Sequence, residues 1–127
     1  MADVNRGNRP LSPHLSIYRP QLTSATSIFA RITGVALLGA AVLVVWWFLA
    51  AAAGPEYFDF VNGLMTSFIG DVVMFAALWA VCYHFLSGLR HLYWDTGRGF
   101  EIEFAEKLAK GVIVGSVVLA VVIALIV

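Results

Sequence analysis

The sequence predicts an all-α membrane protein: three transmembrane helices behind a short cytoplasmic N-terminal segment. Three observations carry this prediction. Of the 127 residues, 61% are hydrophobic and only 13% are charged, more apolar surface than a soluble domain of this length can hide. The apolar residues fall into three long runs, Ile32 to Ala53, Val72 to Leu89 and Gly111 to Val127. The basic residues flank those runs unevenly, as in multi-pass membrane proteins.

Each element follows in turn, within a single membrane-anchor domain over 1–127. Residues 1–24 hold Arg6, Arg9 and Arg19, three prolines and no early apolar core, so this segment does not read as a secretory signal. It is not Ser-rich and lacks the arginine pattern of an organelle transit peptide. Helices are expected at about 25–53, 66–94 and 105–127. At ~1.5 Å per residue the uncharged runs extend roughly 25–33 Å, matching a hydrocarbon core of ~30 Å. Backbone groups in lipid must bond to each other, so the runs are helical. Gly54-Pro55 ends the first helix by turn chemistry. Glu101, Glu103, Glu106, Lys107 and Lys110 suggest a short solvated helix leading into the third span.

Net charge is zero, yet Arg6, Arg9, Arg19 and Arg31 precede or open the first span, and Arg90, Arg98, Lys107 and Lys110 lie between the second and third. The connection from Gly54 to Asp71 carries only Glu56, Asp59 and Asp71. The positive-inside rule then puts the N-terminus and second connection in the cytoplasm and the C-terminus in the periplasm. Trp46, Trp47 and Phe48 near the outer end of the first span, and Tyr93 and Trp94 after the inner end of the second, suit interfacial belts. Trp79, in mid-helix, is open to lipid contact. A bacterial inner membrane is the simplest home, and no nucleic-acid partner is expected. Cys82 is the only cysteine, which excludes an intrachain disulfide or a cysteine-based cluster and leaves packing as its role.

Polar groups within a span mark function. Ser27 and Arg31, spaced i and i+4, share one face of the first helix. A hydroxyl and a cation there can grip a carbonyl oxygen or carboxylate, or Arg31 can simply snorkel to the headgroups. His84, Gly88, His91 and Asp95 fall close to one line of the second helix. His84, well inside the apolar run, needs a partner, because an unpaired polar group in hydrocarbon is costly. Haem iron is one such partner; an interhelical hydrogen bond is another. Gly88 removes a side chain where a flat macrocycle would lie. His91 and Asp95 sit toward the aqueous edge, near propionates or protons, although His91 can be merely interfacial and Asp95 can cap the helix or pair with Arg98. The remaining histidine, His14, lies in a proline-bounded segment too far from His84 to serve as a second axial ligand. A haem would therefore require a second membrane chain.

The stretch Arg9-Pro10-Leu11-Ser12-Pro13-His14-Leu15-Ser16-Ile17-Tyr18 resembles the N-terminal signature of the cytochrome b556 subunits of succinate dehydrogenases. Ser27-Ile28 followed by Arg31, Thr33 and Gly34 is similar to that family's first-helix motif. His84, Gly88, Arg90, His91, Leu92 and Asp95 resemble its second-helix motif. Together these motifs span nearly the whole chain. One position departs: the family usually has a histidine, associated with the haem edge, immediately before the helix-one arginine, and here that residue is Ala30.

The resemblance implies a four-subunit complex in which a flavoprotein oxidises succinate, an iron–sulfur protein relays electrons, and two small anchors bind haem b and ubiquinone. On this chain it makes His84 an axial ligand of the haem iron, the other ligand coming from the second anchor. Ser27 and Arg31 line the quinone site, with Arg31 also near the haem edge, and His91 and Asp95 serve the propionate edge or proton delivery. A guanidinium there stabilises negative charge developing on a quinone oxygen. The rivals are an anchor without haem and the anchor of a fumarate reductase. A transporter fits poorly, as the chain has neither a repeat nor a broken span.

Overall fold

The computed structural model describes residues 18–127, and every regular element among them is helical: α1 (Leu22–Ala53), α2 (Pro55–Met65), α3 (Phe68–Asp95) and α4 (Ile102–Ile126). The 32, 28 and 25 residues of α1, α3 and α4 give rods of ~48, ~42 and ~37 Å, each longer than the ~30 Å hydrocarbon core. These are the three predicted spans. The N-terminal signature up to Ile17, including His14, and most of the segment expected to be cytoplasmic lie outside the described residues.

The helix ends differ from expectation for local reasons. α1 begins at Leu22, not near residue 25, directly after the extended Gln21 that follows Pro20. α3 begins at Phe68, because Ser67 Oγ caps it by accepting the Gly70 N–H at 3.1 Å. The charged stretch from Glu101 to Lys110 is not a separate helix. Glu103 sits in the first turn of α4, which then runs unbroken into the span.

Gly54 ends α1 as expected, and the connection beyond it, given no regular element by the sequence, is itself mostly helix. Gly54 adopts φ +136°, a conformation most side chains resist, and ends α1; Pro55 then opens α2 at a position where its missing N–H costs nothing. α2 packs against α1 and buries Val61 completely. Trp46 Nε1 donates to Tyr57 Oη at 2.8 Å, Trp47 Nε1 donates to Asn62 Oδ1 at 3.1 Å, and the Trp47 and Phe58 rings meet at 5.5 Å. At 11 residues, ~16 Å, α2 is too short to cross the membrane. A Cβ at Gly70 would collide with the carbonyls of Leu64 and Met65, so the α2–α3 corner closes only over glycine.

Among the spans the packing is inverted relative to a soluble protein. Most buried residues are small, among them Ala80, Ala105, Ala109, Ala120, Ser87, Ser116, Thr26 and Thr33, with Tyr83 and Arg90 the large exceptions. Large apolar side chains point outward, with Val35 70% and Phe68 82% exposed. Lipid offers little reason to hide leucine, so helices associate where small residues let backbones approach. α3 is the central span, in contact with both α1 and α4. On α4, Ala105, Ala109, Val112, Ser116 and Ala120 form the buried stripe. The buried Thr26, Thr33 and Ser116 hydroxyls bond back to their own helices, as with Ser116 Oγ to the Ile113 carbonyl at 2.8 Å. Cys82 is buried and free. Trp79 is not a plain lipid contact: it is half-buried, with its ring 5.6 Å from that of Tyr83 and its buried indole N–H without an acceptor among the described residues.

Candidate functional site

α1 and α3 run antiparallel, and two interhelical hydrogen bonds set their register. His84 Nδ1 lies 3.0 Å from the carbonyl oxygen of Ala30. Six residues further along α3, Arg90 Nη1 donates to Thr26 Oγ1 at 2.8 Å. The start of α1, with Ser27 and Arg31, is thereby brought beside the end of α3, with His84 and His91.

The second contact is a buried polar knot. Arg90 is only 3% exposed. Its Nη2 lies 3.5 Å from Ser87 Oγ, its guanidinium stands 4.8 Å from the Trp94 ring centroid, and its Nε is buried without a partner among the described residues. Tyr83 Oη donates to the Thr26 carbonyl at 2.9 Å, while Thr26 Oγ1 donates to the Thr23 carbonyl at 3.0 Å. Sequence reasoning counted Arg90 among the topology-setting charges and missed its role in joining the helices. A signal was present: Tyr83, Ser87 and Arg90 are spaced i, i+4 and i+7, a helix face distinct from that of His84.

On the other side of α1 and α3 an open cavity of ≈ 520 Å³ is lined by Ser27, Ala30, Arg31, Gly34, Val35, Leu38, His84 and His91. Four of the five candidate site residues therefore line one space. The fifth, Asp95, is the exposed last residue of α3 and does not line it. Asp95 does not cap the helix either: Thr96 Oγ1 bonds the Tyr93 carbonyl at 2.7 Å and the Gly97 N–H bonds that of Trp94 at 2.8 Å.

His84 is exposed on the chain's surface yet oriented from behind. A carbonyl oxygen only accepts, so Nδ1 carries the proton and Nε2 presents a lone pair. Gly34 makes the geometry possible: a Cβ there would stand 3.0 Å from His84 Cε1 and 3.4 Å from Nδ1. Gly34 belonged to the first-helix motif but had no assigned role, since its partner lies on another helix. His91 repeats the tautomer within its own helix, with Nδ1 2.7 Å from the Ser87 carbonyl and its ring edge-to-face with Trp94 at 5.4 Å. Gly88 is exposed, and a Cβ there would meet nothing within 4 Å, so the surface around His84 is open. Among the described residues no three His, Cys, Asp or Glu side chains group as a metal cage.

Three apolar helices, a short helix lying on the first, and a largely apolar cavity between α1 and α3 that holds Ser27, Arg31, His84 and His91 define an all-α, multi-pass membrane protein. Residues 5–123 match the model of the succinate dehydrogenase/fumarate reductase transmembrane subunit. The chain belongs to that family. It is 52% identical over 121 residues to the succinate dehydrogenase cytochrome b556 subunit of Paracoccus denitrificans, covering 95% of this chain and 93% of that one. The corresponding subunit of Rickettsia conorii is 42% identical over 113 residues, 89% of this chain and 88% of the relative. The succinate dehydrogenase cytochrome b560 subunit of Marchantia polymorpha is 43% identical over 115 residues, 84% and 80% of the respective chains. The chain thus works as a membrane subunit of an enzyme complex, seated in the inner membrane.

Proposed function

We propose that this chain is a membrane anchor of a succinate:quinone oxidoreductase, giving one axial ligand to a haem b and forming part of a ubiquinone-reduction site. The observation that carries this reading is His84, whose Nδ1–H is held by the Ala30 carbonyl at 3.0 Å while its ring lines an open cavity with Ser27 and Arg31. Metal-bound histidines characteristically donate their second nitrogen in this way.

The residues present fit a haem. Ala30, Gly34, Val35 and Leu38 supply an apolar wall, His84 one nitrogen donor, and Arg31 a cation for the carboxylate edge. When bound, the haem supplies a one-electron carrier near the quinone. The chain's own groups do the rest. Ser27 Oγ donates a hydrogen bond to a quinone oxygen, and the Arg31 guanidinium stabilises the negative charge that grows there during reduction. His91, its Nδ1 occupied, offers Nε2 as a proton acceptor at the cavity edge, with Asp95 beyond it at the end of α3 as a relay toward water.

With a single imidazole contributed from this face, a second small anchor supplies the other axial ligand. A flavoprotein oxidises succinate, and an iron–sulfur subunit delivers the electrons from the cytoplasmic side. The charge pattern supports a cytoplasmic N-terminus and a periplasmic C-terminus. The subunit names of the curated relatives favour succinate dehydrogenase over fumarate reductase.

The test is a dithionite-reduced minus oxidised spectrum of the complex purified through this chain in mild detergent. A b-type α band that vanishes in His84→Ala, while flavin and iron still co-purify, is the expected result. An intact complex without that band leaves a structural anchor. Absence of the flavoprotein refutes the assembly.

A further inference from the structure

The Ala30 carbonyl that holds His84 is a shared acceptor. Thr33 is 3% exposed, and its Oγ1 lies 2.9 Å from the Phe29 carbonyl and 3.1 Å from that of Ala30. As a residue inside a continuous helix, Ala30 also accepts from the backbone N–H one turn on. A carbonyl oxygen has two lone pairs. His84 Nδ1–H, the helix N–H and the Thr33 hydroxyl therefore compete for two places, and the hydroxyl is the one donor with an alternative acceptor, at Phe29.

We infer that Thr33 is a positioning residue that sets the donor strength of the His84 imidazole, and with it the reduction potential of the metal centre His84 serves. The inference rests on the haem reading above. A hydrogen bond at Nδ1–H pushes electron density toward Nε2, and the stronger that bond, the more the imidazole favours the oxidised, more positively charged metal. Each moment the Thr33 hydroxyl spends on the Ala30 carbonyl withdraws density from the bond to His84. Thr33 thus weakens the push and holds the potential up. It does so from the buried face of α1, outside the cavity lining, so its effect passes through His84 and not through contact with a ligand.

The experiment is a redox titration of the purified holocomplex, followed at the haem α band, for Thr33→Val and Thr33→Ser. Valine keeps the shape and removes the hydroxyl; serine keeps the hydroxyl. The expected result is a lower midpoint potential in Thr33→Val, up to about 59 mV for a tenfold change in a one-electron equilibrium, with haem content unchanged and the wild-type potential restored in Thr33→Ser. A potential in Thr33→Val equal to wild type, or an equal shift in both variants, overturns the inference. Should Thr33→Val lose haem, paramagnetic resonance of the ferric signal in Thr33→Ser against wild type replaces it: coincident signals support the assignment, and displaced signals oppose it. These results are distinct from failure of the haem reading itself, in which the wild-type complex shows no α band.

Discussion

At the scale of single residues, the spans are governed by what each polar group can bond to. His84, Thr33, Thr26, Ser87 and Arg90 each bond a neighbour one turn away or across one helix boundary, as hydrocarbon requires, and Arg90 Nε alone of this set is left buried without a partner among the described residues. Gly34 completes this arrangement by having no side chain. Gly34→Ala sets a methyl 3.0 Å from His84 Cε1, tighter than ordinary contact, and the ring can yield only by giving up the Ala30 carbonyl. Haem content per complex is expected to fall at least severalfold, whereas Gly39→Ala, on a surface with nothing within 4 Å, leaves it unchanged. Pyridine haemochrome assay against flavin content measures both. Sequence patterning marked His84, Ser27 and Arg31 because a polar residue in an apolar run is conspicuous. It left Gly34 without a role because a glycine's purpose lies in whatever approaches it from another helix.

At the scale of elements, the α1–α3 seam is fastened by the Arg90–Thr26 pair at one level and the His84–Ala30 pair at another. Replacing Arg90 by alanine removes a charged donor from Thr26, Ser87 and the Trp94 face, a loss of about 1.5–3 kcal/mol for a charge-assisted bond. Arg90→Ala is expected to lower the thermal unfolding midpoint of the complex, and Arg90→Lys to recover part of it. An unchanged midpoint in both variants would show that the knot contributes nothing to the seam. Existence and type of the three spans were legible in the sequence, since long uncharged runs admit only helices in lipid. α2 was not, because a short amphipathic helix at a membrane surface resembles a polar connection until the indoles that hold it are seen. The continuity of α4 was hidden for a related reason: charged residues outside the lipid do not interrupt a backbone that has no reason to break.

At the scale of the whole molecule, charge and packing divide the labour. Ala105, Ala109, Ser116 and Ala120 join α4 to the bundle, while Arg19, Arg98, Lys107 and Lys110 mark one end of it and Glu56, Asp59 and Asp71 the other. If the basic end faces the cytoplasm, a reporter active only outside the cytoplasm will score when fused after Val127 and stay silent when fused at the N-terminus. The opposite pattern would invert the proposed topology and move the cavity away from the proposed side of electron delivery.

The length of α1 has a consequence for how that cavity is entered. A rod of 32 residues, ~48 Å, cannot fit within ~30 Å of hydrocarbon even at a 40° tilt, which still leaves ~37 Å along the normal. One end must stand clear. The C-terminal end is alanine and is clasped by α2, whereas the N-terminal end carries Thr23, Ser24, Thr26 and Ser27. If the protruding turns are the hydroxyl-bearing ones, the space beside Ser27 and Arg31 lies at the boundary, apolar on one flank and wet on the other. On the proposed reading, an oily substrate would then slide in from the bilayer while protons reach it from the aqueous phase, with no channel through this chain needed for either.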